Sequence, residues 1–282
     1  MNAFTLEWLR LRRDADERAR WREGARQFLR ALPDGSLPVV DLGCGSGASC
    51  AYLASLSERA LPWRLVDHDP ALLSEARGAC ATLPHVGRLE CLELDLSRDL
   101  EQSVSGGVAG MTASALLDLV SHQWLDRLCA LCARSQVPLL LSLTYSGRVT
   151  LLPGDDDDEL IHRLLELHQR RDKGFGAALG SSAPSTAASL LSPAHYRVSC
   201  VASDWDLDSA ARSDAALLEP LLEGWAQAAT EQTEEQEDIQ STVRRTGSWL
   251  DRRLSATALG VLKARVGHVD LLALPETSSR PD

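Results

Sequence analysis

Val39-Val40-Asp41-Leu42-Gly43-Cys44-Gly45-Ser46-Gly47 is the stretch on which the fold of this chain turns. Leu37 to Leu42 is a short apolar run, the pattern of a buried strand. It runs into alternating glycines, and residues 48–58 then take helical spacing. Glycine permits the tight turn and the close backbone approach that a ligand at such a junction needs. Gly43, Gly45 and Ala48 also satisfy the looser dinucleotide fingerprint, with Asp67 near the expected spacing of about 20 residues, so nicotinamide and flavin ligands enter the comparison. Asp41 weighs against them. A carboxylate two residues ahead of the first glycine sits badly against a pyrophosphate and suits a ligand carrying positive charge, or else it shapes the turn by accepting from loop amides.

Outward from this loop, strand and helix alternate. Trp63 to Val66 reads as a second strand ended by Asp67-His68-Asp69-Pro70, where Asp69 can cap the next helix with Pro70 in its first turn. That helix is expected over 70–82. Leu89 to Leu94 is a third strand followed by Asp95, Val108 to Thr112 a fourth, 115–134 a helix, and Val137 to Thr144 a fifth strand. Such alternation demands parallel strands with helical crossovers, hence a doubly wound sheet. The strand ends then place Asp41, Asp67 and Asp95 on one rim, at the switch point where such sheets bind ligands. Asp67 can hold a ribose and Asp95 an adenine amino group.

The flanking regions differ in character. Residues 1–32 read as a helical cover with eight arginines between Arg10 and Arg30. They form either a solvated face or a lid with Arg12, Arg13 or Arg20 toward an anion. Residues 33–276 form the main domain, with a cofactor half at 37–150 and a helical half at 151–264. In the latter, Asp155 to Asp158 precede a helix whose dipole they favour, and 174–186 is expected to be loop. A sixth strand covers 197–202, long helices cover 209–230 and 237–262, and a last strand covers 266–274. The tail 277–282 is expected to fray.

Composition excludes several classes. Charged residues are 24% of the chain and its net charge is −11, which repels phosphate and disfavours a nucleic-acid partner. No apolar run approaches the roughly 20 residues of a membrane span, and the first 30 residues do not resemble a secretory signal. Seven cysteines, an odd number, read as free thiols in a reducing cytoplasm. Cys129 and Cys132 form a lone CxxC in an apolar helical pattern, read as core rather than as a metal pair, and no metal site is expected.

Taken together, four segments resemble the class I S-adenosylmethionine-dependent methyltransferases. Asp41 to Gly47 is similar to that family's first motif, Leu65 to Pro70 to its second, Leu92 to Leu96 to its third, and Met111 to Asp118 falls where its fourth strand reaches the sulfonium. The resemblance covers about 37–146 and implies a Rossmann-like α/β fold with a seven-stranded, mostly parallel sheet whose last strand is antiparallel. It implies S-adenosylmethionine as cofactor. Gly43, Cys44, Gly45 and Gly47 would pass beneath it, Asp41 would lie near the methionine ammonium, Asp67 with His68 at the ribose, Asp95 and Leu96 at the adenine, and Thr112 and Ala113 at the methionine end.

The expected partner is a small-molecule acceptor with an oxygen or nitrogen nucleophile. The alternatives are methylation of RNA or protein, or a non-catalytic cofactor-binding protein. In-line displacement at a sulfonium needs alignment above all, and a base only where the acceptor loses a proton. Asp118 and His122, four apart on one expected helix, are the candidate couple. Tyr145, past the fifth strand, and His168, Lys173 and Phe175, at a helix-to-glycine hinge, are candidate acceptor contacts.

Overall fold

The computed structural model describes residues 5–233 and 239–276. The tail expected to fray and the first four residues of the expected helical cover lie outside them. Two helices, α1 (Leu6–Ala19) and α2 (Arg22–Ala31), precede the first strand. Then come β1 (Val39–Leu42), α3 (Ala48–Leu56), β2 (Leu61–Asp67), α4 (Pro70–Cys80), β3 (Val86–Glu93), α5 (Leu96–Asp99), β4 (Gly110–Ser114), α6 (His122–Ser135) and β5 (Leu139–Leu152). The second half holds α7 (Asp158–Gln169), α8 (Ala183–Leu191), β6 (Tyr196–Ala202), β7 (Trp205–Asp208), α9 (Arg212–Thr233), α10 (Ile239–Ala258) and β8 (Lys263–Pro275).

The sheet order is β3-β2-β1-β4-β5-β8-β6, with β7 also paired to β8. β1 to β5 are mutually parallel and β8 runs antiparallel to β5, β6 and β7. Chain order reverses between β1 and β4, which opens a crevice at their carboxyl ends.

The sequence chemistry accounts for the elements. Asp69 caps α4 as expected, its Oδ1 accepting from the Ala71 N–H at 2.8 Å with Pro70 in the first turn. Successive strand residues face opposite sides. Val40, Leu42, Met111, Leu139 and Leu141 therefore pack with α6 and α8, while Val39, Leu65, Leu140 and Leu272 pack with Phe28 of α2 and Leu53 of α3. Beyond the crevice, β5 and β8 continue as a long ribbon, and a third core of α7, α9 and α10 gathers on it around Tyr145, Leu151, Trp205 and Trp249.

Three expectations are corrected. Among the described residues the sheet has eight strands, because Trp205–Asp208 pairs with the start of β8; an isolated tryptophan between aspartates gave no strand signal. Residues 183–186 of the expected loop begin the helix α8, with Pro184 in the first turn. The helix expected over 115–134 is split. Leu117–Leu119 is a 3-10 turn, Val120 is extended, and α6 starts at His122 with Ser121 as its cap. The chain near Ala178 bridges to Ser121, and the Leu179 N–H donates to the Val120 carbonyl at 2.9 Å, which holds this break open.

Candidate active site

The loop after β1 is built on left-handed backbone. Gly43, Gly45 and Gly47 have φ of 65°, 52° and 81°, a region costly for any residue with a Cβ. At Gly47 there is no room either, since a Cβ would stand 2.7 Å from Cys80 Sγ. Cys44 is buried, and its N–H donates to the Val66 carbonyl at 3.0 Å, tying the loop to β2. Asp67 closes the other side: its Oδ2 accepts from the Gly45 N–H at 2.9 Å and its Oδ1 from the Asp69 N–H at 3.1 Å. A carboxylate offers about four acceptor positions, so Asp67 shapes the loop and keeps capacity for ribose hydroxyls. His68 is exposed beside it, with Nδ1 3.4 Å from Asp67 Oδ1.

Asp41 differs from every other acid here. It is 1% exposed and neither carboxylate oxygen has a partner. Burial drives its pKa from 3.8 up to about 7, against the nearby positive charge of Arg20, with Asp67 adding to the rise. Its register partner on β4 is Thr112, whose hydroxyl is likewise buried and unpartnered. Buried polar atoms are normally satisfied. Two orphaned acceptors side by side next to a glycine loop suit a ligand that brings donors and positive charge, as a methionine ammonium does. Ala113 does not share this role through its side chain; it packs toward α6, on the opposite face.

Asp95 is already partnered. Its Oδ1 caps α5, accepting from the Ser97 N–H at 3.0 Å and the Ser97 hydroxyl at 2.6 Å, and Arg98 pairs with its Oδ2. These bonds, that from the Ser97 hydroxyl foremost, hold its pKa below the usual range. Leu96 is buried next to it, and its carbonyl accepts from the Trp124 indole N–H at 2.6 Å.

Of the residues expected at an acceptor, the structure joins Asp118 to Tyr145 rather than to His122. The break before α6 leaves Asp118 in the 3-10 turn, half-buried, and His122 exposed in the first helical turn, so the shared helix face is not formed. Burial raises Asp118 to about 6, although the Tyr145 backbone N–H and the Arg12 charge favour its carboxylate. Tyr145 is buried, with its hydroxyl 3.5 Å from His162 Nε2. Glu166 closes in from α7: a Cβ on Gly147 would lie 2.6 Å from its Oε1. Past His162 a recess of about 250 Å³ continues between Val149, Leu151, Trp225 and Trp249.

The hinge residues are not gathered beside Asp118 and Tyr145. His168 Nε2 lies 3.0 Å from Glu231 of α9 and Lys173 Nζ lies 3.4 Å from His168 Nδ1. Phe175 instead meets Trp124 edge-on at 5.5 Å. The cause is local: Asp172 Oδ1 accepts from the N–H groups of both Gly174 and Gly176, and the resulting tight turn sends these side chains apart.

The cover helices lie directly on the site. Leu9 of α1 is the nearest neighbour that a Cβ at Gly45 would meet, at 3.2 Å. Arg12 pairs twice with Asp16, at 2.8 and 3.0 Å, and stacks over Trp205, whose indole N–H donates to the same Asp16. Arg20 donates to Ser114 Oγ at 3.0 Å. Sequence reasoning passed over His162, Glu166 and Asp270. Of these only Asp270 carried a signal, an acid placed within an apolar closing strand.

No family model and no curated protein matches the chain. Among solved structures, a cyclopropane-fatty-acyl-phospholipid synthase-like protein from Lactobacillus casei is 14% identical, covering 94% of this chain and 92% of its own, with a TM-score of 0.54. The chain has the class I methyltransferase fold. Looser likenesses include a SAM-dependent methyltransferase from Geobacter sulfurreducens in complex with S-adenosyl-L-homocysteine, 18% identical, covering 90% of this chain and 91% of its own at a TM-score of 0.44. A similar protein from Thiobacillus denitrificans is also 18% identical, covering 89% of this chain and 90% of its own at 0.42. The methyltransferase fold alone does not set the chemistry; the site does. No helix among the described residues is long and apolar enough to cross a membrane.

Proposed function

We propose that this chain transfers a methyl group from S-adenosylmethionine to an oxygen or nitrogen of a small-molecule acceptor. The observation that carries the reading is the orphaned Asp41 carboxylate beside three left-handed glycines, with Asp67 at the next strand end. Gly43 to Gly47 would bear the cofactor's backbone-facing side, Asp41 and Thr112 its ammonium, Asp67 its ribose, and Asp95 with Leu96 its adenine. Bound there, the cofactor supplies an electrophilic methyl on sulfur for in-line attack.

Asp118 acts as the proton acceptor in this reading. Its pKa of about 6 leaves it ionised at pH 7 to 8 yet basic enough to take a proton as the nucleophile attacks. Tyr145 and Glu166 stand near it, and the recess between Trp225 and Trp249 takes an apolar part of the acceptor. Burial of Tyr145 and the cover of α1 exclude water and hold the reacting atoms in line.

The arginine-rich N-terminus was the one feature favouring a macromolecular acceptor. Arg10, Arg12, Arg18 and Arg30 are spent on Glu75, Asp16, Asp214 and Glu23 within the chain. That use supports a covered site for a small acceptor. The test is calorimetric titration with S-adenosylmethionine and S-adenosylhomocysteine, followed by a metabolite screen for mass gain of one methyl group. Binding of either ligand is the expected result. Failure of both at millimolar concentration overturns the reading.

A further inference from the structure

Arg20 is 8% exposed, yet it forms no salt bridge with any described residue. Among the described residues its guanidinium makes one hydrogen bond, to Ser114 Oγ at 3.0 Å, and its Cζ stands 5.1 Å from the centre of the Tyr52 ring. A guanidinium has five N–H donors in a planar fork, so most of its donor capacity is unspent. Burying a cation without a counter-charge is costly unless a ligand provides one.

Its position is set by the sheet. Thr112 is in register with Asp41, and Ser114 lies two residues further along β4 on the same face. Two residues of strand span about 6.6 Å. Arg20 therefore stands one step beyond the Asp41–Thr112 rung, above the crevice and on the side of α3. Asp270, 1% exposed on β8, fixes this placement: its Oδ2 accepts from the Trp21 N–H at 2.9 Å, and its Oδ1 from the Leu143 N–H at 2.7 Å. The residue next to Arg20 is thus pinned to the sheet. An unspent guanidinium and an unspent carboxylate, both buried and a rung apart, complement an α-amino-acid zwitterion.

Resting on the cofactor reading above, we infer that Arg20 and Asp41 form a clamp for the amino-acid head of S-adenosylmethionine, Arg20 taking the carboxylate and Asp41 the ammonium. Arg20 forms a bidentate pair with the carboxylate while keeping its stack on Tyr52, a geometry that lysine cannot reproduce. The joint between α1 and α2 then becomes part of the ligand site.

The test is calorimetry at pH 8 with three ligands: S-adenosylmethionine, its decarboxylated analogue and free methionine. The wild-type chain should prefer S-adenosylmethionine over the decarboxylated analogue by tenfold or more. Arg20→Met should erase that preference by weakening S-adenosylmethionine alone, and Arg20→Lys should restore only part of it. Equal wild-type affinity for the first two ligands overturns the clamp and leaves the cofactor reading standing. Wild-type binding of neither overturns the cofactor reading itself. Methionine binding as tightly as S-adenosylmethionine would assign the clamp to a free amino acid and refute its assignment to the cofactor. The wild-type comparison needs no variant, so a folding defect in Arg20→Met does not protect the proposal.

Discussion

Asp41→Asn should make this protein more stable and worse at binding its cofactor. Burial raises the Asp41 carboxyl from 3.8 to about 7. A raised native pKa means that the folded chain holds the proton more tightly than the unfolded chain does. Stability is therefore greatest with the group protonated, and it falls as pH rises from about 4 to about 7. Above that window the loss is constant. At about 1.4 kcal/mol per pH unit, the ionised form costs the native state up to roughly 4 kcal/mol at pH 8. Asparagine has the shape of the protonated acid and cannot ionise, so it removes most of this penalty while leaving its own amide unpaired.

The expected gain is about 1–4 kcal/mol at pH 8 and near zero at pH 4.5, measured by urea denaturation of both chains at pH 4.5, 6 and 8. Affinity for S-adenosylmethionine at pH 8 should move the other way, by tenfold or more. Parallel stability profiles for the two chains, or an asparagine variant less stable at pH 8, would refute the claim that Asp41 is a desolvated carboxylate waiting for a charge.

Asp67→Ala should weaken S-adenosylhomocysteine binding by roughly 1–3 kcal/mol, the scale of hydrogen bonds to a charged group, and unchanged affinity by calorimetry would remove Asp67 from the ribose. Gly47→Ala should destabilise the chain by at least about 1–2 kcal/mol from its left-handed backbone alone; adding Cys80→Ala should recover only the clash with the Sγ at 2.7 Å, since Ala76 still crowds the site at 3.2 Å. Thermal melts of the single and double variants separate the two contributions. With an acceptor in hand, wild-type kcat/KM should rise through pH 6 as Asp118 ionises, and Asp118→Asn should lose that limb; an unaltered profile would show that Asp118 is not the base.

The half that carries the glycine loop was legible because its signals are local. Strand, glycine turn, helix and capping aspartate each follow from adjacent residues, and Asp41, Asp67 and Asp69 stand where that chain of inference put them. The acceptor half depends on contacts between distant segments. Nothing near Asp118 announces that residues 178–179 will bridge to 120–121 and break the helix that would have carried Asp118 and His122 together. Lys173 was conspicuous as one of two lysines, but its direction is set by the Asp172 turn and by Glu231, 58 positions away in sequence. Arg20 was one of three arginines that the sequence offered to an anion, and its burial against Ser114 and Tyr52 separates it from Arg12, which is spent on Asp16, and from the exposed Arg13.

Asp270 shows how the fold turns a closing strand into part of the site. Ala115 and Leu143 are both left-handed, with φ of 52° and 55°, and follow paired residues, Ser114 and Ser142, on neighbouring strands. Non-glycine residues in that region cost about 1–3 kcal/mol each and persist only where the surroundings impose them. For Leu143 the agent is visible, since its N–H is held by Asp270 at 2.7 Å. The result is a bulge: Leu141 pairs with Leu271 and Thr144 with Val269, so three steps on β5 match two on β8. One extra residue inverts the facing of every side chain beyond it. Without it Tyr145 would share the α6 face with Leu139 and Leu141. With it Tyr145 pairs with His268 and turns to the face that carries Asp41, Asp270 and the cover helices. The same carboxylate holds the Trp21 N–H, so one buried acid places Tyr145 and the residue next to Arg20 at once. That coupling explains why an apolar closing strand keeps an aspartate at its centre.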